Sequence, residues 1–195
     1  MKKIAAFLLK ILGWKVTGTF PSQYKKLVIL EAPHTSNLDW FIGMLCIYSK
    51  GIKVNVIIKK EAFFWPIGGL LKKMGGIPID RTGTKNKVEA IAELFDKHDS
   101  LYLGITPEGT RSLVTTWRKG YYYIALKAGV PLLLAYIDYK KKIGHFGPVI
   151  IPSGDYEKDF EKIEAFYKGV HAKYPEKFNL SEQYLKKEKK DVEND

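Results

Sequence analysis

Short apolar runs that alternate with stretches of helical periodicity constrain this chain most. Residues 26–30, 53–58, 76–79, 101–105, 131–138 and 146–151 read as strands, each short, apolar and bounded by turn residues. Helical patterns occupy 37–49, 84–97, 119–128 and 156–173, with a helical or irregular apolar stretch at 62–74 and a leading helix at 3–12. In the 37–49 stretch, Leu38, Phe41, Ile42, Leu45 and Tyr48 recur at helical spacing until Gly51 stops the helix. Strands that alternate with helices bury their faces as a largely parallel central sheet sandwiched by helices, so the expected class is α/β. A chain of 195 residues, 46% of them hydrophobic, suits one substantial core. The expectation is a single domain over 15–180, preceded by a short amphipathic helix within 1–14 and followed by a charged tail, 181–195, that frays.

Loops that leave the strands of such a sheet on one edge are where ligands bind. Two of them carry reactive side chains. The first holds Ala-Pro-His-Thr-Ser-Asn-Leu-Asp at 32–39, with His34 five positions before Asp39. In one continuous helix, positions five apart point about 140° away from each other, so the pair could not cooperate. With His34 in a loop and Asp39 in the first helical turn, the imidazole can fold back over the carboxylate. The same segment also reads as a capping box, in which Asp39 satisfies a free backbone N–H at the helix start and His34 is an ordinary loop residue.

The second loop follows the strand at 101–105 and reads Pro107-Glu108-Gly109-Thr110-Arg111. Gly109 allows close backbone approach, Thr110 can donate, and Arg111 can grip an oxyanion with two parallel hydrogen bonds while Glu108 steadies the guanidinium. A surface turn with a weak intraloop ion pair is the plainer reading. Between the two loops, Gly75-Gly76-Ile77-Pro78-Ile79-Asp80-Arg81 ends a strand on an arginine where a ligand-facing loop would begin.

Together these blocks resemble the glycerolipid acyltransferases, the family of 1-acylglycerol-3-phosphate (lysophosphatidic acid) acyltransferases. That family carries a histidine separated by four residues from an aspartate, a Gly-rich block ending in arginine, then Glu-Gly-Thr-Arg, and last a proline-containing apolar strand, here Val130-Pro131-Leu132. The resemblance covers roughly residues 20 to 155. Two positions depart from it: Pro33 stands where many members have asparagine, and Thr106 where a phenylalanine is common. The resemblance implies a glycerol-3-phosphate acyltransferase-like fold and acyl transfer from a thioester, acyl-CoA or acyl carrier protein, to a lipid hydroxyl. His34 would act as general base, held in the useful tautomer by Asp39. Arg81, Glu108, Gly109, Thr110 and Arg111 would bind the acceptor's phosphate, with backbone N–H groups at 109–113 as candidate oxyanion donors. The favoured acceptor is 1-acylglycerol 3-phosphate; glycerol 3-phosphate or an amino-acid-derived lipid is the alternative. No metal and no cofactor beyond the acyl donor is expected.

The net charge of +11 is unevenly spread: residues 1–154 hold 23 basic and 10 acidic residues, the remainder 9 and 11. A basic body suits nucleic acid, anionic lipid or an acidic carrier. No nucleic-acid-binding motif accompanies it, so no nucleic acid is expected and an anionic membrane surface is the favoured partner. A non-catalytic basic lipid- or nucleic-acid-binding module remains the rival class. The apolar run 4–12, flanked by Lys2, Lys3 and Trp14, falls well short of the ~20 residues that span a bilayer and lacks a good signal-peptide cleavage site; it suits an interfacial helix, with a helix packed on the core as the alternative. Phe63 to Leu71, bracketed by Lys59, Lys60, Lys72 and Lys73, reads either as core or as a lip that meets lipid or lines an acyl channel. The expected location is peripheral, on the cytoplasmic face of a membrane. Cys46 falls in an apolar helix and reads as core, and one cysteine precludes an internal disulfide. Gly-x-Ser-x-Gly, Walker A and dinucleotide fingerprints are absent, which argues against hydrolase and nucleotide-binding readings.

Overall fold

A computed structural model describes residues 1–79 and 87–180. The chain runs α1 (Lys2–Ile11), β1 (Lys15–Gly18), β2 (Lys26–Glu31), α2 (Asn37–Lys50), β3 (Asn55–Lys59), α3 (Ile67–Lys73), β4 (Gly76–Ile79), α4 (Lys87–Asp96), β5 (Leu101–Ile105), α5 (Gly120–Ala128), β6 (Leu132–Asp138), β7 (Ile143–Ile150) and α6 (Tyr156–Tyr167). The strands form one sheet in the order β1-β7-β6-β2-β5-β3-β4. Every pairing is parallel except β6 with β7, whose short connection allows only an antiparallel return. The fold is α/β with a largely parallel sheet, as the alternation of strands and helices requires.

The central strand β2 explains why its sequence is continuously apolar rather than alternating. Val28 and Leu30 pack into the core that holds Phe95, Tyr121, Tyr122, Ile163 and Tyr167 from α4, α5 and α6. Leu27 and Ile29 pack into a second cluster on the opposite face, with Val54, Leu133 and Phe146. Helix α2 starts at the Ser36 cap and ends on Gly51, whose φ of +77° is the left-handed turn that favours glycine.

The differences from the sequence reading have local causes. Strand β1 carries no strand pattern in the sequence because Lys-Val-Thr-Gly is short and mostly exposed; it pairs at the sheet's edge with β7. Helix α6 stops at Tyr167, not 173, because the chain turns at Gly169 with φ +73°. The 62–74 stretch resolves into a single turn at Lys60–Ala62 and the helix α3. Residues 181–195, the expected fraying tail, lie outside the described residues.

Helix α1 divides its apolar residues between two faces. Ala5 and Leu9 are buried against Ile42 and Leu45 of α2, together with Trp14. Ile4, Phe7, Leu8, Ile11 and Leu12 are exposed. Phe64, Trp65, Ile67 and Leu70 are exposed too, Trp65 by 91%, so this segment is not core. Among the described residues no helix is long and apolar enough to cross a membrane.

Candidate active site

Strand β2 lies between β6 and β5, and the chain leaves β2 toward β3 on one side but leaves β5 toward β6 on the other. The loops at the carboxyl ends of β2 and β5 therefore meet where the winding reverses, the usual ligand crevice of an open α/β sheet. These are the loops that carry His34 and Glu108.

Asp39 is buried, in the first turn of α2, and its carboxylate organises the first loop. Its Oδ2 accepts from the Thr35 N–H at 2.7 Å and the Ser36 N–H at 2.8 Å, and lies 3.4 Å from His34 Nδ1. Its Oδ1 accepts from the Tyr139 hydroxyl at 2.7 Å. The capping box and the His–Asp pair are thus one arrangement: the oxygen that caps the helix also faces the imidazole. Thr35 is buried as well, and its Oγ1 accepts from the Tyr174 N–H at 3.3 Å, which ties the loop to the segment after α6. With Nδ1 turned to Asp39, Nε2 is the ring nitrogen left to take a proton.

Charge is concentrated around His34. Burial alone would lower its pKa, but the bond to Asp39 and the charges of Glu31, Asp39 and Glu108 outweigh burial and raise it above the usual histidine value. Burial would raise Asp39; the bonds from His34, Tyr139, Ser36 and Thr35 prevail and hold it below the usual aspartate value. Glu31 and Glu108, which lack that cage of donors, are pushed up to about 7 by burial. Among the described residues, Glu31 Oε1 and Glu108 Oε2 have no hydrogen-bond partner.

Glu108 corrects one expectation. It does not steady Arg111: its Oε1 accepts from the His34 backbone N–H at 2.9 Å, so it pins the first loop from the second. Arg111 is exposed and does not line the cavity beside His34. The reason is the turn at Gly109, whose φ is +62°. The chain reverses there, with the Gly109 N–H bonded to the Thr106 carbonyl and the Ser112 N–H to Thr110 Oγ1. Those two N–H groups, among the expected oxyanion donors, are therefore already engaged. Thr110 folds the loop on itself.

The cation that does reach the cavity is Arg118, with Lys87 from the start of α4. Arg118 lies across Gly109 so closely that a Cβ there would sit 2.8 Å from its Nε. Its backbone N–H bonds the Pro107 carbonyl at 2.9 Å, and the adjacent Trp117 is buried with its Nε1–H on the Asn179 carbonyl. Arg118 was missed in the sequence; the available signal was a cation beside a tryptophan just before α5. Tyr139 was missed too, because nothing near it in the sequence links it to Asp39. Arg81 lies outside the described residues.

His34 opens onto a cavity of about 550 Å³, a volume ordinary for small-molecule sites. Much of its wall is aliphatic, with Met44, Ile47, Val54, Val56, Ile57 and Ile105, while Glu31, Asn37, Lys87, Thr106 and Arg118 are among its polar groups. The Phe63–Leu71 segment does not line it. Cys46 is buried and its thiol is pushed up to about 12 by burial, so it is not a nucleophile. Among the described residues no group of His, Cys, Asp and Glu side chains is arranged to hold a metal ion.

Comparison with known proteins agrees with this fold. A search of the curated proteins gave no significant match. Among solved structures, the fold matches that of the 1-acyl-sn-glycerophosphate (LPA) acyltransferase PlsC from Thermotoga maritima, with a TM-score of 0.56 and 18% identity over 98% of this chain and 74% of that one. Residues 14–138 match the family model Acyltransferase. That span is more than half of the sequence and contains both motif loops and the strands that carry them: the chain belongs to the Acyltransferase family.

Proposed function

We propose that this acyltransferase moves a fatty acyl group from an acyl thioester to the hydroxyl of a lysophospholipid-like acceptor, 1-acylglycerol 3-phosphate first among them, at a membrane surface. The observation that carries the reading is His34, paired with Asp39, on the wall of a largely aliphatic cavity. His34 Nε2 takes the proton of the acceptor hydroxyl as its oxygen attacks the thioester carbonyl, and Asp39 stabilises the imidazolium that forms. Collapse of the tetrahedral intermediate expels the thiolate, which receives that proton, so base and acid are the same residue and no acyl-enzyme is needed. The aliphatic walls suit an acyl chain, and Arg118 and Lys87 suit a phosphate beside it.

The exposed apolar row of α1 and the Phe64–Leu70 surface support peripheral membrane binding, on the cytoplasmic face. Acyl-CoA and acyl carrier protein both fit as donors. The test is an assay of purified protein with acyl thioesters against 1-acylglycerol 3-phosphate, glycerol 3-phosphate and an amino-acid-derived lysolipid, with the esterified product identified by mass. Esterification of the first acceptor supports the proposal in full, and preference for another revises the acceptor. Absence of transfer to any of them sinks it in favour of a non-catalytic lipid-binding module.

A further inference from the structure

Among the described residues, Asp39 is held from outside its own loop by one side chain. Tyr139 follows β6 directly, and its hydroxyl donates to Asp39 Oδ1 at 2.7 Å, while the backbone donors and His34 all use Oδ2. Without that bond the carboxylate has no donor on its second oxygen among the contacts described. The tyrosine is itself fixed. Its backbone N–H bonds the His171 carbonyl at 2.9 Å, and the edge of its ring pair with Trp14 closes at 5.2 Å between centroids and 89° between planes. Trp14 in turn is buried with Ala5 and Leu9 of α1, and its backbone N–H bonds the Leu9 carbonyl at 2.8 Å. A continuous packed path therefore runs from α1 through Trp14 and Tyr139 to Asp39 and His34.

We infer that Tyr139 is a positioning residue for the His34–Asp39 pair, and that α1, through Trp14, helps to hold it in place. The first function of α1 in the reaction is then independent of any membrane. The inference rests on the acyl-transfer reading above and adds to it. The groups that face the pair are Glu31 from the end of β2, Glu108 from the loop after β5 and Tyr139 from the end of β6, with Tyr174 facing Tyr139. Burial and the Asp39 carboxylate raise the Tyr139 phenol, so it stays a neutral donor across the working range. Its hydroxyl draws charge away from the carboxylate. Removing it leaves Asp39 a stronger partner for the imidazolium, so His34 should hold its proton to higher pH.

Tyr139→Phe keeps the ring and its packing on Trp14, and removes only the donor. It should lower kcat roughly tenfold, the scale of a lost bond to a charged group, with KM little changed. The acid limb of kcat/KM should move to higher pH, and the His34 imidazole, followed by NMR, should titrate higher by the same direction. Because Tyr139 acts through Asp39, the double variant Asp39→Asn/Tyr139→Phe should be no slower than Asp39→Asn alone within about twofold. Trp14→Leu should lower kcat on a short-chain, monomeric acceptor as well as on vesicles. A Tyr139→Phe variant that is folded and keeps both its rate and its acid limb overturns the inference, as do losses that multiply in the double variant. The NMR titration needs no turnover, so it judges Tyr139 even if the acyl-transfer reading fails; loss of that reading would instead show as a wild type inactive with every acceptor.

Discussion

The loop after β2 and the loop after β5 meet at one cavity, but they are built in opposite ways. In the first, four residues separate His34 from Asp39, and the carboxylate that faces the imidazole also caps α2 through the Thr35 and Ser36 N–H groups. Local hydrogen bonding leaves it little freedom. The second is long and largely exposed, and is pinned at separated points: Glu108 on the His34 N–H, Gly109 in a left-handed turn under Arg118, and Trp117 in the core. Where chemistry and local folding use the same atoms, spacing in the sequence predicts geometry. Where a loop is held by distant contacts, the residue that reaches the cavity need not be the one the motif suggests.

The sharpest break between the two loops is expected at His34. His34→Ala should lower kcat by about 10²–10⁴ in a folded protein, the usual contribution of a general base, as measured by initial rates of ester formation. Asp39→Asn comes next. An amide oxygen can take the place of Oδ2 as a cap, so thermal unfolding should change little, while kcat falls more than KM rises because the imidazolium loses its counter-charge. In the second loop the effect should fall on binding. Arg118→Ala should raise KM for a phosphorylated acceptor by roughly 10–100-fold, the range for a lost charge-assisted bond, and Arg111→Ala by less, since Arg111 is off the cavity. The reverse order, read from steady-state kinetics, would restore the motif's arginine as the main phosphate ligand. The smallest effect belongs to Ser36→Ala, which should cost about 1 kcal/mol of stability as a lost N-cap, seen as a lower unfolding midpoint.

Much of the fold was legible because buried parallel strands must be continuously apolar and their helices periodic; β2 with Leu27 to Leu30 and α2 with its cap and Gly51 are the clearest cases. β1 was not legible, since four mostly exposed residues on a sheet edge carry no such pattern. In the site, His34 and Asp39 were readable from spacing at a strand-to-helix turn. Glu108 stands out in its motif, but its partner does not, because its contact with His34 spans 74 positions. Tyr139 lies 100 positions from Asp39, and a bond of that range leaves no trace in local pattern. Arg118 could have been suspected only from its place beside Trp117.

The proposed reaction depends on His34 being the group whose proton sets the rate. The most direct test is the pH dependence of kcat/KM for the wild type and His34→Ala, measured side by side. His34 is held above its usual value by Asp39 and the neighbouring carboxylates, so wild-type activity should fall as pH drops through a midpoint above about 6.5, the ordinary histidine value. The residual activity of the variant should lack that limb. The same limb in both proteins, at a comparable rate, would contradict the assignment of His34 as the base.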